Sequence, residues 1–328
     1  MLADTAIKKA MSRACAEARK WLGATSPNPA VGAVALDESG EVIAVAAHRK
    51  AGEGHAEGAL LEICRAQNLL PRVDTICVTL EPCNHQGRTP PCTEAIIAAG
   101  IRHVVIGTRD PNPHVKGGGA AYLRQRGVEV IEGINENECR QLLAPFSYFV
   151  QAGRPFVTVK RAFDGKGSMI PPPGQKTFTS NDSLRFAHLL RKKADAILTG
   201  SGTILADHPL FTIRHVEDHL GKRRFLAILD RRGRVPADYL AEARGRGLDP
   251  LIYKDVQAAL ADLADKGARD VLVEAGPALS QAILDSHPWA MSVIIPHHNN
   301  DKIEVEFNTQ ESMPFAPEAF RWDFFLPC

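Results

Sequence analysis

An α/β fold in two domains is predicted by three features: a length too great for one core, short apolar runs that alternate with helical periodicities, and a Gly/Pro break near the middle. At 328 residues the chain exceeds the size at which a single core stops growing. Strands alternating with helices are the pattern of a sheet covered on both faces, so each half is expected to be a three-layer α/β/α domain. The break lies in "VQAGRPF" and sets the expected domains at residues 1–150 and 154–328.

Ala6, Ile7, Ala10, Met11, Ala14, Cys15, Ala18 and Leu22 recur at helical spacing and predict an amphipathic helix over residues 5–22. "VGAVALDESGEVIAVAA" holds two apolar runs joined by the turn residues "DESG", a β-hairpin. Beyond it come a helix from about His55 to Asn68, the strand "TICVTL", a helix from Pro90 to Ala99, the strand "RHVVIG", a helix near Ala120 to Gln125 and the strand "VEVIEG". The last strands are expected to run parallel, because helices connect them. "ENECRQLLAPFSYF" reads as one closing helix. In the second half the strands "FVTVK", "AILT", "RFLAILD", "DPLIY", "DVLVEA" and "SVIIP" are separated by helical stretches such as "SLRFAHLLRKK" and "VQAALADLADKG". "PPPG" at 171–174 is a rigid loop, and from Asn299 onward the chain is polar, then aromatic, with no assignable pattern.

Composition narrows the function. Net charge is +1, with 39 basic against 38 acidic residues, so no overall field exists to hold a nucleic acid by counterion release. No apolar run suits a membrane span, and the N-terminal stretch interleaves Asp4, Lys8, Lys9, Arg13, Glu17 and Arg19 with its apolar positions, so export is not expected. Seven cysteines without such a signal point to a reducing, cytoplasmic setting. An apolar surface on the second domain would suit a homodimer.

Two segments carry chemistry. "GHAEGALLE" places His55 and Glu57 at a helix start, and "TLEPCNHQGRTPPC" places Cys83 at a strand end and Cys92 at the next helix start, where proline is tolerated. A disulfide between the cysteines fits poorly with a reducing compartment, and two core thiols would leave the ordered H-x-E and P-C elements unexplained. His55, Cys83 and Cys92 suit Zn²⁺ and leave a fourth tetrahedral position for water. A purely structural site would want a fourth protein ligand; His85 is a candidate, but Glu57 would then have no role. Zinc brings its water to a pKa of roughly 7, and Glu57 is placed to take that proton. The order H-x-E, P-C, Cys resembles that of zinc deaminases, here with eight residues between the cysteines in place of two.

With these residues in place the chain resembles, over nearly its whole length, the bifunctional riboflavin-biosynthesis deaminase/reductase family. In the first domain the resemblance rests on "SPNPAVGAV", "HRKAGEGHAE", "TLEPCNHQGRTPPC" and "DPNP". It implies a cytidine-deaminase-like zinc domain that hydrolyses the 2-amino group of a diaminopyrimidinone carrying ribose phosphate and releases ammonia. His55, Cys83 and Cys92 would hold zinc, Glu57 would shuttle protons, and Asn28, His48, His85 and Arg88 would line the substrate pocket. An amide such as Asn28 can read a pyrimidine edge and Arg88 can pair with phosphate.

In the second domain "RPFVTVK", "LLRKKADAILTGSGTILADHP", "TIR" and "VLVEAGPAL" resemble the dihydrofolate-reductase-like half, which uses NADPH to reduce the ribosyl chain to ribityl. The resemblance implies NADPH contacts at Ala162, Thr203, Asp207, Gly276, Pro277, Ala278 and Leu279, and substrate contacts at Arg191, Phe211, Arg214 and Glu274. Gly276 before a helix N-terminus would let backbone N–H groups approach a phosphate. This half also departs from the family: Ser-Leu-Asp-Gly is shortened to Phe163-Asp164-Gly165, Thr177 replaces a tryptophan, Arg231 replaces a serine, Pro171–Pro173 are added, and "HPWAM" replaces Val-Asp-Glu. Losing an aromatic wall and a hydroxyl would cost roughly 1–3 kcal/mol each in cofactor binding. Two other readings remain open at this point: a paralogue that deaminates a related pyrimidine or pteridine-like metabolite with an altered reductase half, and a non-catalytic binding scaffold, which the complete set of His55, Cys83, Cys92 and Glu57 opposes.

Overall fold

The computed structural model describes residues 2–85, 90–112, 118–170, 180–286, 289–296 and 303–321. Two compact units emerge: residues 1–151 with 314–320 and 327–328, and residues 152–313 with 321–326. Arg88, Thr177 and the Pro171–Pro173 loop lie outside the described residues.

The first unit contains α1 (Asp4–Arg19), β1 (Gly32–Leu36), β2 (Val42–Ala47), α2 (Ala56–Ala66), β3 (Thr75–Leu80), α3 (Cys92–Ala98), β4 (His103–Thr108), α4 (Gly119–Gln125), β5 (Glu129–Glu132), α5 (Glu136–Leu142) and α6 (Ala144–Ala152). Its sheet runs β2-β1-β3-β4-β5. β1 is antiparallel to β2 and β3, as the hairpin reading requires, and β3, β4 and β5 are parallel. Successive strand residues point to opposite faces. Ile76 and Val78 pack with Leu60, Leu61 and Ile96 on one side, whereas Val34, Cys77 and Val105 pack with Met11, Cys15 and Cys139 on the other. Three layers result. α1 meets the sheet at Gly32, where a Cβ would lie 2.0 Å from the Ala14 carbonyl oxygen, so only glycine permits this approach.

The single helix expected over "ENECRQLLAPFSYF" is instead two, α5 and α6, separated at Leu143. Pro145 has no N–H to continue the ladder, so Leu143 N–H ends one helix on Cys139 O and Ser147 N–H starts the next on Leu143 O. The C-terminal stretch that carried no pattern packs onto α5: Asn137 Oδ1 accepts from Ala316 N–H at 3.0 Å and Gln141 Nε2 donates to Ala319 O at 2.9 Å.

The second unit contains β6 (Phe156–Phe163), α7 (Asn181–Lys193), β7 (Ala196–Gly200), α8 (Ser201–Asp207), β8 (Arg224–Leu229), α9 (Ala237–Gly245), β9 (Leu248–Tyr253), α10 (Val256–Asp265), β10 (Asp270–Val273), α11 (Pro277–Ser286), β11 (Met291–Pro296) and β12 (Glu304–Phe307). Its sheet runs β12-β11-β6-β10-β7-β8-β9, parallel except for β12. Val157, Val159, Leu198 and Val271 pack with Leu260 and Leu263 on one face; Ile197, Leu226 and Ile228 pack with Ile204 and Tyr239 on the other. α8, α9 and β12 were not expected from the sequence. α8 is only seven residues long, too short to display a period, and β12 is an edge strand whose register is supplied by β11. Among the described residues no helix is long and apolar enough to cross a membrane.

Candidate active sites

In the first unit three element ends converge. His55 sits in extended conformation as the N-cap of α2, Cys83 follows the end of β3 after Pro82, and Cys92 is the first residue of α3 behind Pro91. His55 Nδ1 lies 3.5 Å from Cys83 Sγ and 3.4 Å from Cys92 Sγ, and all three donor atoms fall within 4.8 Å of one another. Zn–N and Zn–S bonds of 2.0–2.3 Å at tetrahedral angles put donor atoms about 3.5 Å apart, so this set fits zinc. The two cysteines are tied by backbone as well: Cys92 N–H donates to Cys83 Sγ at 3.3 Å and Thr93 N–H to Cys83 O at 3.2 Å.

Of the three candidate ligands, Cys83 is the one already held in its ligating form. Hydrogen bonding from Cys92, against the opposing effect of burial and aided by His55, holds the Cys83 thiol down to about 4, so it is the ready thiolate. The same contact and burial hold the Cys92 thiol up. Its hydrogen bond to Cys83 raises His55 above the ordinary imidazole value. Glu57, in the first turn of α2 and 3% exposed, is pushed up to about 6 by burial.

Of the expected pocket residues, His48 is buried and edge-on to His55, with ring centroids 5.9 Å apart. Its Nδ1 lies 3.0 Å from the Gly54 carbonyl, which can only accept, so Nδ1 carries the proton and Nε2 accepts from Asn28 Nδ2 at 3.4 Å. Burial lowers the His48 pKa, consistent with a neutral ring. Asn28 is exposed, with its N–H bonded to Thr25 O at 2.9 Å. His85 is exposed and is not part of the metal-ligating group. Sequence reasoning overlooked Glu81, which accepts from Ala120 N–H at 2.9 Å and Asp110 N–H at 3.3 Å and so ties the "DPNP" segment to the strand end bearing Cys83. Gly119 completes that tie: a Cβ there would stand 2.0 Å from Pro82 O.

In the second unit Ala162, Thr203, Glu274 and Gly276 lie at or just beyond the carboxyl ends of β6, β7 and β10, the usual ligand edge of such sheets. Val273 of β10 pairs with Val159 of β6, so Glu274 follows beside Lys160. Glu274 is buried; its Oε2 accepts from Arg191 Nε at 2.7 Å and its Oε1 lies 3.4 Å from Lys160 Nζ. Burial alone would raise this carboxyl, but Arg191 and Lys160 outweigh it and hold it down to about 2. Lys160 is a partner that sequence reasoning did not single out; its place in "FVTVK" offered no cue beyond a charge in an apolar run.

Thr203 Oγ1 accepts the Gly276 N–H at 3.0 Å, and Leu279 reaches back over Gly200. The Gly276 N–H is therefore engaged within the protein. Pro277 opens α11 and, with Ala278, is exposed; Asp207 is exposed at the far end of α8. Phe211 is buried among Ile204, Leu226 and Tyr239, which leaves its backbone as the group able to meet a ligand. Arg214 is exposed. Of the departures, Asp164 caps its own turn by accepting from Lys166 N–H and Ser168 N–H, Arg231 donates to Lys254 O at 3.1 Å, and Trp289 of "HPWAM" donates to Leu284 O at 3.0 Å.

Comparison with known proteins bears on both units. Residues 4–108 match the cytidine and deoxycytidylate deaminase zinc-binding region, and residues 155–287 match the RibD C-terminal domain. The riboflavin biosynthesis protein RibD of Actinobacillus pleuropneumoniae is 35% identical over 305 residues, spanning 84% of this chain and 79% of that protein. The RibD of Aquifex aeolicus is 41% identical over 230 residues, spanning 70% of this chain and 63% of its own length. The crystal structure of a diaminohydroxyphosphoribosylaminopyrimidine deaminase/5-amino-6-(5-phosphoribosylamino)uracil reductase from Thermotoga maritima superimposes with a TM-score of 0.79 at 34% identity, covering 91% of this chain and 89% of that one. A RibD structure from Acinetobacter baumannii gives a TM-score of 0.73 at 30% identity, covering 90% and 88%. The chain therefore belongs to the RibD family of riboflavin-biosynthesis proteins, a zinc-binding deaminase domain joined in one polypeptide to a reductase domain.

Proposed function

We propose that the chain catalyses two consecutive steps of riboflavin biosynthesis: hydrolytic deamination of 2,5-diamino-6-(5-phosphoribosylamino)pyrimidin-4(3H)-one over residues 1–150, then reduction of the ribosyl chain to ribityl over residues 154–328. The observation that carries the reading is the convergence of His55, Cys83 and Cys92 on one point beside the buried Glu57.

His55, Cys83 and Cys92 would hold the zinc, which would supply a water acidified to near-neutral pKa. Glu57 takes one proton of the attacking water to the pyrimidine ring nitrogen, then carries the proton of the added hydroxyl to the 2-amino nitrogen as the C–N bond breaks, so that one water is consumed and ammonia leaves. Its burial suits this work, because a carboxyl with a pKa of about 6 can both take and return a proton. His48, kept neutral, presents Asn28 to the pyrimidine edge, and His85 and Arg88 are assigned to substrate binding, Arg88 by pairing with the phosphate.

Bound NADPH would supply the hydride equivalent for the second step. Arg191, Arg214 and the Phe211 backbone bind the phosphorylated chain, and Glu274 stays anionic to orient Arg191. Ala162, Thr203, Asp207 and the run Gly276, Pro277, Ala278 and Leu279 form the cofactor wall. A small-molecule substrate, a cytoplasmic location and self-association through the second domain, which exposes Leu205, Leu210 and Leu220, belong to the same reading; near-zero net charge supports it over nucleic-acid binding.

Incubating the purified, zinc-loaded chain with the diaminopyrimidinone tests the proposal. Ammonia is expected without NADPH, and NADPH oxidation only once ammonia has been released. Absence of ammonia, or NADPH oxidation that precedes it, would reject the reading.

A further inference from the structure

We infer that His188 is a positioning residue of the second site, the side chain that clamps the segment carrying Phe211 and Arg214 to the helix carrying Arg191. The inference rests on the proposed reductase reading, in which those three residues meet substrate.

The segment after α8 holds two non-glycine residues in the left-handed region within four positions, His208 at φ 43° and Phe211 at φ 53°. Each such residue costs on the order of 1 kcal/mol or more, and it persists only where surrounding contacts over-determine it. Beyond the contacts of His208 with Glu242 and Ile204, hydrogen bonds fix the stretch along its length. Tyr239 Oη donates to Pro209 O at 2.6 Å, Arg191 Nη1 donates to Thr212 O at 3.2 Å, and Arg214 N–H donates to His188 Nδ1 at 2.8 Å. The first fixes the start of the segment and the last fixes its end.

His188 is suited to that place. It is 2% exposed on α7, one turn from Arg191, where the neighbouring Phe186, Ala187 and Leu190 are also buried. A backbone N–H can only donate, so Nδ1 must offer its lone pair and the neutral ring carries its proton on Nε2. That nitrogen lies 3.5 Å from Arg191 Nη1, a contact between two donors in which neither satisfies the other. The ring packs edge-on against His215, with centroids 4.6 Å apart. What His188 contributes is one buried acceptor and a rigid shape without added charge beside Arg191 and Arg214. No other side-chain acceptor is recorded for the Arg214 N–H among the described residues.

The test compares His188→Phe and His188→Asn in the full chain; asparagine places an oxygen close to the Nδ1 position, whereas phenylalanine has no acceptor. Hydrogen exchange of the peptide covering residues 209–216 is read first, because it depends on no substrate. Exchange there is expected to speed up about ten-fold in His188→Phe and to stay near wild type in His188→Asn. With the deaminated substrate, KM for reduction is expected to rise about ten-fold in His188→Phe with kcat little changed, and to recover in His188→Asn, while ammonia release is the same in all three. Unchanged exchange in His188→Phe, a KM equal to wild type, or a His188→Asn variant no better than His188→Phe would overturn the inference. Wild-type protein that fails to oxidise NADPH would reject the reductase reading instead, and the exchange comparison would still decide whether His188 clamps the segment.

Discussion

Glu57 and Glu274 are both buried glutamates at the heart of a candidate site, yet they are driven in opposite directions. Glu57 has burial as its dominant influence and rises to about 6; Glu274 is also buried, but Arg191 and Lys160 flank it and hold it near 2. Burial by itself always disfavours the charged carboxylate; the neighbouring cations decide whether that effect survives. The first environment makes a carboxyl that can exchange a proton near neutrality, and the second makes a fixed anion that orients a guanidinium. On the proposed reading, one chain builds a proton shuttle and a permanent charge from the same residue type.

Several substitutions sharpen or break this contrast. The largest effect is expected from Cys92→Ala, which removes a thiolate ligand: bound zinc should be lost and ammonia release should fall by about three orders of magnitude, while reduction of deaminated substrate continues. Metal analysis beside both half-reactions checks it, and retention of zinc with full deamination would break the assignment. Glu274→Gln leaves Arg191 and Lys160 without their buried counter-charge and is expected to cost about 3 kcal/mol, a drop of roughly 10 °C in melting temperature at pH 7. Because the folded-state pKa lies below the ordinary 4.5, the stability supplied by Glu274 is complete above that value and is lost as pH falls toward about 2. Melting curves of wild type and variant should therefore converge over that acid range.

Smaller effects probe the scaffolds. Gly32→Ala forces a Cβ against the Ala14 carbonyl and should destabilise the first unit by about 1–3 kcal/mol, seen as a shifted denaturation midpoint with deamination impaired and reduction spared. Thr203→Val removes the acceptor of the Gly276 N–H, worth about 1 kcal/mol, and should raise KM for NADPH about five-fold without touching ammonia release.

The first site was largely legible in the sequence because its residues mark element ends. His55 caps α2, Cys83 leaves β3 and Cys92 opens α3, and each of those ends carries a local signature of proline or of an apolar run stopping. The parallel order of β3, β4 and β5 was readable for the same reason, since helices join them. What escaped was non-local. Glu81 looks like an ordinary polar residue at a strand end, and its role exists only because the chain returns at Asp110 and Ala120. Lys160 and Glu274 are more than a hundred residues apart and meet through strand register. His188 did leave a trace, a polar residue between Ala187 and Leu189 in the sequence, but its partner at Arg214 depends on a left-handed backbone that no pattern announces. The break between α5 and α6 was within reach, because Pro145 lies inside the presumed helix.

The separability of the two carboxylate roles is tested most directly by assaying Glu57→Gln and Glu274→Gln each for ammonia release from the diaminopyrimidinone and for NADPH oxidation on the deaminated product. Glu57→Gln is predicted to keep its zinc and its reduction rate while ammonia release falls about 10³-fold, and Glu274→Gln to release ammonia normally while reduction fails. Normal ammonia release by zinc-loaded Glu57→Gln, or loss of both reactions from either single substitution in folded protein, would contradict the account.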